Sequence, residues 1–196
     1  MTPNDVERPV SNQPIPNDAR LVFEGQLFDV FQWQQEQFDG SIRTFEKLKR
    51  PDTVVVIPVT PKGTILTTEQ EQPGRASFRG LVGGRQESNE SVYQTARREM
   101  QEEIGHTCDE LNLWFATHPT TKIDWVVYYL VASGCMPSGM VQNDAGEKVK
   151  IVEKTFDEFL QLAFDDSFVE VEIIPEMLKA LISKEKFENL KKKILG

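Results

Sequence analysis

The sequence predicts a single α+β domain. Seven strand-like segments surround one long amphipathic helix, and two further helical segments close the chain. At 196 residues without an internal repeat, one core is the default.

Residues 1–20 hold Pro3, Pro9, Pro14 and Pro16, few apolar residues and no periodicity, and are expected to form a poorly ordered N-terminal arm. Val30 to Phe38 alternates loosely, and Asp39-Gly40 before Ser41 to Lys47 signals a hairpin with a type I′ turn. Thr53 to Thr60 (TVVVIPVT) is rich in β-branched residues and reads as a buried strand. Pro61-Lys62-Gly63 then turns the chain into a strand at Thr64 to Glu69.

A helix is expected from about Glu90 to Ile104, stopped by Gly105 in the left-handed position. Strands follow at Leu111 to Thr117, Asp124 to Ser133 and Glu147 to Glu153. Thr155 and Glu158 match a capping box for a helix ending near Phe164. Pro175 opens the last helical stretch, with a break near Ser183 before Lys191-Lys192-Lys193.

Composition excludes several classes. The net charge is −9, from 22 Lys plus Arg against 31 Asp plus Glu, which disfavours a nucleic-acid partner. The longest apolar run, Trp125 to Ala132, is far short of the roughly 18 residues of a membrane span, and no signal-peptide pattern opens the chain. Cys108 and Cys135 alone make neither a disulfide framework nor a zinc site, so a cytoplasmic setting is expected. Nucleotide-binding P-loop, serine-hydrolase and H-E-x-x-H motifs are missing, and His118 and Cys135 have no partners at a catalytic spacing.

The chemistry gathers on the central helix. Val92, Ala96, Met100 and Ile104 recur every four residues and form an apolar stripe. Glu99, Glu102 and Glu103 stand at i, i+3 and i+4, within about a 100° arc of another face. Such a triplet suits a solvated surface, and it also suits a hard divalent cation that takes carboxylate oxygens.

The segment from Gly84 to His106, GRQESNESVYQTARREMQEEIGH, resembles the Nudix box, G-x5-E-x7-R-E-U-x-E-E-x-G-U, with U a bulky aliphatic residue. Gly84, Glu90, Arg98, Glu99, Glu102, Glu103 and Gly105 match its seven fixed letters, and Met100 its first U, while His106 departs from the last. The run Phe45 to Pro51, the strand Thr53 to Thr60 and Glu69 to Arg75 are similar to the ADP-ribose pyrophosphatase-like branch, and Pro119 stands near that branch's downstream proline. Gly80-Leu81-Val82-Gly83-Gly84 departs from the usual E-L-P-G-G, which touches substrate contacts of that loop.

The resemblance implies an α/β/α Nudix fold, a mixed sheet between helices with an N-terminal antiparallel strand extension. Its divisions are 1–20 as the arm, 21–50 as the extension for dimerisation and substrate, 51–182 as the hydrolase domain and 183–196 as a C-terminal helix. It also implies Mg²⁺-dependent hydrolysis of a nucleoside diphosphate sugar, with ADP-ribose first and Mn²⁺ an alternative metal. GDP-mannose, a UDP-sugar, a dinucleotide, or a catalytically silent nucleotide-binding domain remain the alternatives. A homodimer with no nucleic-acid or membrane partner is expected. Glu99 and Glu103 are the implied metal ligands, with Glu102 completing the catalytic carboxylate set and the Gly83 carbonyl beside them. Glu90 and Arg98 are the box's ion pair, and Gly84 and Gly105 its structural glycines. The general base falls to Glu147, with Asp144 second. Arg75 is a candidate phosphate contact, and Phe28, Phe31 or Trp33 a candidate for stacking on the base.

Overall fold

The computed structural model describes residues 6–139 and 148–196. A four-stranded mixed sheet forms the middle layer. Its order is β7 (Val82–Arg85), β4 (Thr53–Pro58), β11 (Val127–Ser133) and β9 (Glu110–Thr117), with β4 and β11 parallel and the outer pairs antiparallel.

Side chains of β4 and β11 alternate between two buried faces, so both strands read as continuous apolar runs. Val54, Val56, Tyr128 and Leu130 pack with Val92, Ala96, Met100 and Ile104 of α1 (Val92–Ile104). Val55, Ile57, Tyr129 and Val131 pack with α2 (Phe156–Gln161), α3 (Ile174–Ile182) and α4 (Lys184–Leu195) on the other face. This is the helix–sheet–helix sandwich expected from the box.

A second sheet orders β13 (Lys148–Lys154), β5 (Ile65–Gln72) and β6 (Arg75–Gly80), all antiparallel. A third sheet is N-terminal: β1 (Arg20–Glu24), β2 (Asp29–Glu36) and β3 (Ile42–Lys49) are antiparallel, and β10 (Ile123–Asp124) adds in parallel to β3. Short strands β8 (His106–Thr107) and β12 (Met136–Pro137) pair beyond α1.

The ends of α1 follow their local chemistry. Ser91 and Gln94 form a capping box at its start, two residues later than the sequence suggests. Gly105, at φ 63°, ends it by donating to the Gln101 and Met100 carbonyls. The Thr155–Glu158 box opens α2, and Ser183 separates α3 from α4 and caps α4.

Three expectations are corrected. Asp39 keeps a negative φ, so the loop before β3 is not a type I′ turn; Gly40 alone is left-handed, and Gly40 N–H donates to the Gln37 carbonyl at 3.0 Å. Asp124 to Ser133 is not one strand: Asp124 belongs to the N-terminal sheet, and the chain crosses at Trp125-Val126 before β11 begins. Strands β1, β6, β7, β8 and β12 have no counterpart among the seven predicted strand segments.

Residues 6–19 form no regular element but lie against the domain. The Arg8 guanidinium meets Asp52 at 2.7 and 3.0 Å and Asp124 at 2.9 Å. Buried Lys47 donates to Ser11 Oγ and the Gln13 carbonyl. Among the described residues, no helix is long and apolar enough to cross a membrane.

Candidate active site

Strand β7 brings the glycine pair onto the glutamate face of α1. Gly83 and Gly84 pair with Val55 and Val54 of β4, which fixes the backbone just ahead of the helix. Gly83 N–H donates to Glu103 Oε2 at 3.3 Å. Gly84 approaches Glu99 so closely that a Cβ there would overlap the carboxylate, and one on Gly83 would overlap the Val54 carbonyl. Backbone contact therefore requires glycine at 83, and glycine at 84 leaves the Glu99 carboxylate its place.

Arg98 organises the carboxylates, and all five of its N–H groups are used. Nε and Nη2 hold Glu90 in a fork at 2.8 and 3.1 Å. Nη2 also donates to the Arg85 carbonyl at 3.0 Å, tying the turn to the helix. Nη1 reaches Glu99 at 2.8 Å and Glu102 at 2.9 Å. Thr95 Oγ1 adds a bond to Glu90 Oε2 at 2.8 Å.

The electrostatics divide the four glutamates. The Arg98 fork holds the Glu90 carboxyl below the usual range. Glu99 is only 8% exposed, and its burial pushes the carboxyl up in spite of Arg98. Three carboxylates, Glu90, Glu99 and Glu102, share the Arg98 guanidinium, so the cluster keeps an excess of negative charge. Among the described residues no three such groups converge into a formed cation cage. The donors nonetheless fit a hard divalent ion: they are all oxygens, and the buried one lies where a cation offsets its desolvation.

The remaining candidates scatter. Arg75 is exposed on β6, its guanidinium 3.6 Å from the centre of the Phe78 ring. Trp33 is 6% exposed, packed against Phe45 at 6.1 Å, and offers no free face to a base. Phe31 lies under Lys49, and Phe28 lies under Arg50 at 5.7 Å. Glu147 and Asp144 fall outside the described residues.

Arg50 was not singled out from the sequence. It rests on Phe28 and, at 4.6 Å, on Trp125, and its Nε is buried without a hydrogen-bond partner among the described residues. It lines a cleft of about 500 Å³ with Asp29, Lys49, Asp52, Glu87 and Glu90, beside the box turn. Its only local signal is its place before Pro51. A larger groove of about 920 Å³ shares no residue with the box, and its Glu69, Arg79, Lys148, Lys150 and Asp165 are engaged in ion pairs.

Comparison with known proteins identifies the family and the fold. A family model described as the NUDIX domain matches residues 49–177. A methanol dehydrogenase activator from Bacillus methanolicus is 31% identical over 147 residues, covering 71% of this chain and 77% of that protein. An ADP-ribose pyrophosphatase from Bacillus subtilis (strain 168) is 28% identical over 144 residues, covering 72% and 78%. The crystal structure of an ADP compounds hydrolase superposes with a TM-score of 0.69 at 20% identity, over 87% of this chain and 94% of that one, a likeness of fold.

Proposed function

The chain belongs to the NUDIX family, and from that premise we propose that it hydrolyses the pyrophosphate bond of a nucleoside diphosphate sugar, ADP-ribose first, with Mg²⁺ or Mn²⁺. The observation that carries this reading is the set of Glu99, Glu102 and Glu103, gathered by Arg98 and Gly83 around one buried carboxylate. The B. subtilis relative, named an ADP-ribose pyrophosphatase, supports the choice of substrate.

Glu99, Glu103, Glu102 and the Gly83 carbonyl would hold the cation. When bound, it supplies charge neutralisation for the diphosphate and a lowered pKa for the attacking water. Arg98 keeps Glu99 and Glu102 at fixed separation and holds the turn through Arg85 and Glu90. Lys49 and Arg50 border the adjoining cleft and are suited to the substrate's anionic groups. Phe28, under Arg50, is the aromatic retained as a stacking candidate, and Arg75 is a more distant phosphate contact. The proton acceptor is Glu147, with Asp144 the alternative. ADP-ribose would yield AMP and ribose 5-phosphate.

The N-terminal extension is assigned to a second copy of this chain. Strand β1 is the edge of its sheet, and Leu21, Val22 and Phe23 on it are about half exposed. A second reading, a nucleotide-binding regulator of another enzyme, is favoured by the relative named as a dehydrogenase activator. A panel of ADP-ribose, GDP-mannose, UDP-sugars and dinucleotides, assayed with Mg²⁺ for released AMP, GMP or UMP, separates these. Product from ADP-ribose supports the first reading, and ligand-induced stabilisation without any product supports the second.

A further inference from the structure

An acidic contact with no place in the box lies at the junction of β6 and β7. After the 3₁₀ turn at Leu162–Phe164 the chain runs along the end of β6, with Arg79 N–H donating to the Ser167 carbonyl and Val169 N–H to the Arg79 carbonyl. This brings Glu170 in against Gly80 and Leu81. Glu170 Oε1 accepts Leu81 N–H at 3.3 Å, and Glu170 Oε2 is 3.2 Å from the Tyr129 hydroxyl oxygen. The same hydroxyl oxygen is 2.8 Å from Glu172 Oε2. A Cβ on Gly80 would come within 3.3 Å of Glu170 Oε1, so the small residue makes room for the carboxyl. The surroundings are apolar: Leu81 is 3% exposed, and Tyr129 and Ile173 are fully buried.

The hydrogens can be counted. One phenolic hydrogen faces two carboxyl oxygens, so with both groups ionised one oxygen would face a lone pair. A proton on Glu170 removes the conflict. Glu170 then donates to the Tyr129 oxygen, Tyr129 donates to Glu172 at the shorter, charge-assisted distance, and Leu81 N–H keeps its acceptor. Glu170 is itself half-buried, and desolvation of its carboxyl against these groups pushes it up to about 7, with neighbouring Glu172 adding to the effect. Burial, with Glu170 and Glu172 beside it, keeps the Tyr129 hydroxyl protonated. The charged group on the same segment is Glu172, and Arg79 at the edge of the contact is turned to Glu69 and Asp165.

We propose that protonated Glu170 is a positioning residue for hydrolysis, holding Leu81 and through it the strand that presents Gly83 to Glu103 and Gly84 to Glu99. The inference rests on the hydrolytic reading above. Loss of the proton makes Glu170 a better acceptor for Leu81 N–H but sets two carboxylates against one hydroxyl, so repulsion from Glu172 shifts the Glu170 carboxylate, and Leu81 with it, and turnover becomes sensitive to pH near neutrality through a group that touches no substrate.

The test uses the full chain, with Mg²⁺ and ADP-ribose between pH 5.5 and 8.5, comparing wild type, Glu170→Gln and Glu172→Gln. Glutamine keeps a donor for Tyr129 and an acceptor for Leu81 but cannot ionise. The wild-type kcat, divided by that of Glu170→Gln, should fall severalfold from pH 6 to 8 with KM unchanged. Glu172→Gln should move the wild-type inflection to lower pH, which keeps the test open if Glu170→Gln does not fold. In parallel, NMR reads the Glu170 carboxyl and the Gly83 and Gly84 amides without substrate. The carboxyl should titrate near neutrality, and both amides should follow it in wild type but not in Glu170→Gln. A flat kcat ratio, or a carboxyl titrating at about 4.3 as in a free peptide, overturns the inference. Absence of hydrolysis in every protein defeats the functional reading instead, and the NMR titration still decides whether Glu170 governs β7.

Discussion

Gly84 and Glu99 are in direct contact across the turn that enters α1, with no space between them for a methyl group. Gly84→Ala must push the carboxylate off its position or move β7 away from β4. The clash should cost about 1 kcal/mol of stability, the low end for overpacking because the atoms met are the end of a side chain, and the displaced carboxylate about a hundredfold in kcat. Thermal denaturation and steady-state kinetics on the same preparation check both. A variant with full activity would show that Glu99 tolerates a different position.

Arg98 is the common partner of Glu90, Glu99 and Glu102. Arg98→Lys keeps the charge but cannot span a fork and two further carboxylates at once. It should lower stability by about 2–3 kcal/mol, below the range for a fully buried pair because the site is partly exposed. Arg98→Ala should cost at least as much. Urea midpoints measured without added metal are the check, since a bound cation would mask part of the effect.

Stability should also report Glu170. Its folded-state value lies above that of an unfolded glutamate, so its stabilising contribution is complete at low pH and is lost as pH rises through about 7. The Tm of wild type minus that of Glu170→Gln should therefore decrease from pH 5 to pH 8. Calorimetry across that range measures it, and a rising difference would mean that the anion is the bound form.

The edge strand predicts assembly. With Leu21, Val22 and Phe23 exposed on β1, sedimentation at micromolar concentration should give twice the 22.4 kDa chain mass. Phe23→Asp should return the monomer mass. A wild-type species of 22.4 kDa would remove the second copy from the account.

The glutamate face of α1 was legible because a spacing of three and four residues has one meaning on a helix. The Gly105 stop and the Thr155–Glu158 cap were legible for the same local reason. What fills Arg98's fifth N–H was not, since the Arg85 carbonyl depends on how the turn folds back. Strand β7 holds two glycines and has no strand propensity of its own; pairing with Val54 to Val56 makes it a strand. The run Asp124 to Ser133 hid its break because the crossing residues Trp125-Val126 are as apolar as the strand that follows, and the change of sheet there is a tertiary event. The loose alternation of Val30 to Phe38 marked a strand but could not say that Phe45 would cover Trp33. The tethers of Arg8 to Asp52 and Asp124 join distant parts of the chain and leave no local signature.

Hydrolysis as proposed depends on the carboxylates around Glu99 holding a cation. The direct measurement is kcat for ADP-ribose with Mg²⁺, wild type against Glu99→Gln, with products identified. The account predicts AMP and ribose 5-phosphate from wild type. It predicts a loss of about a thousandfold, some 4 kcal/mol of transition-state stabilisation, in a variant that folds normally. An unchanged kcat in Glu99→Gln would contradict it.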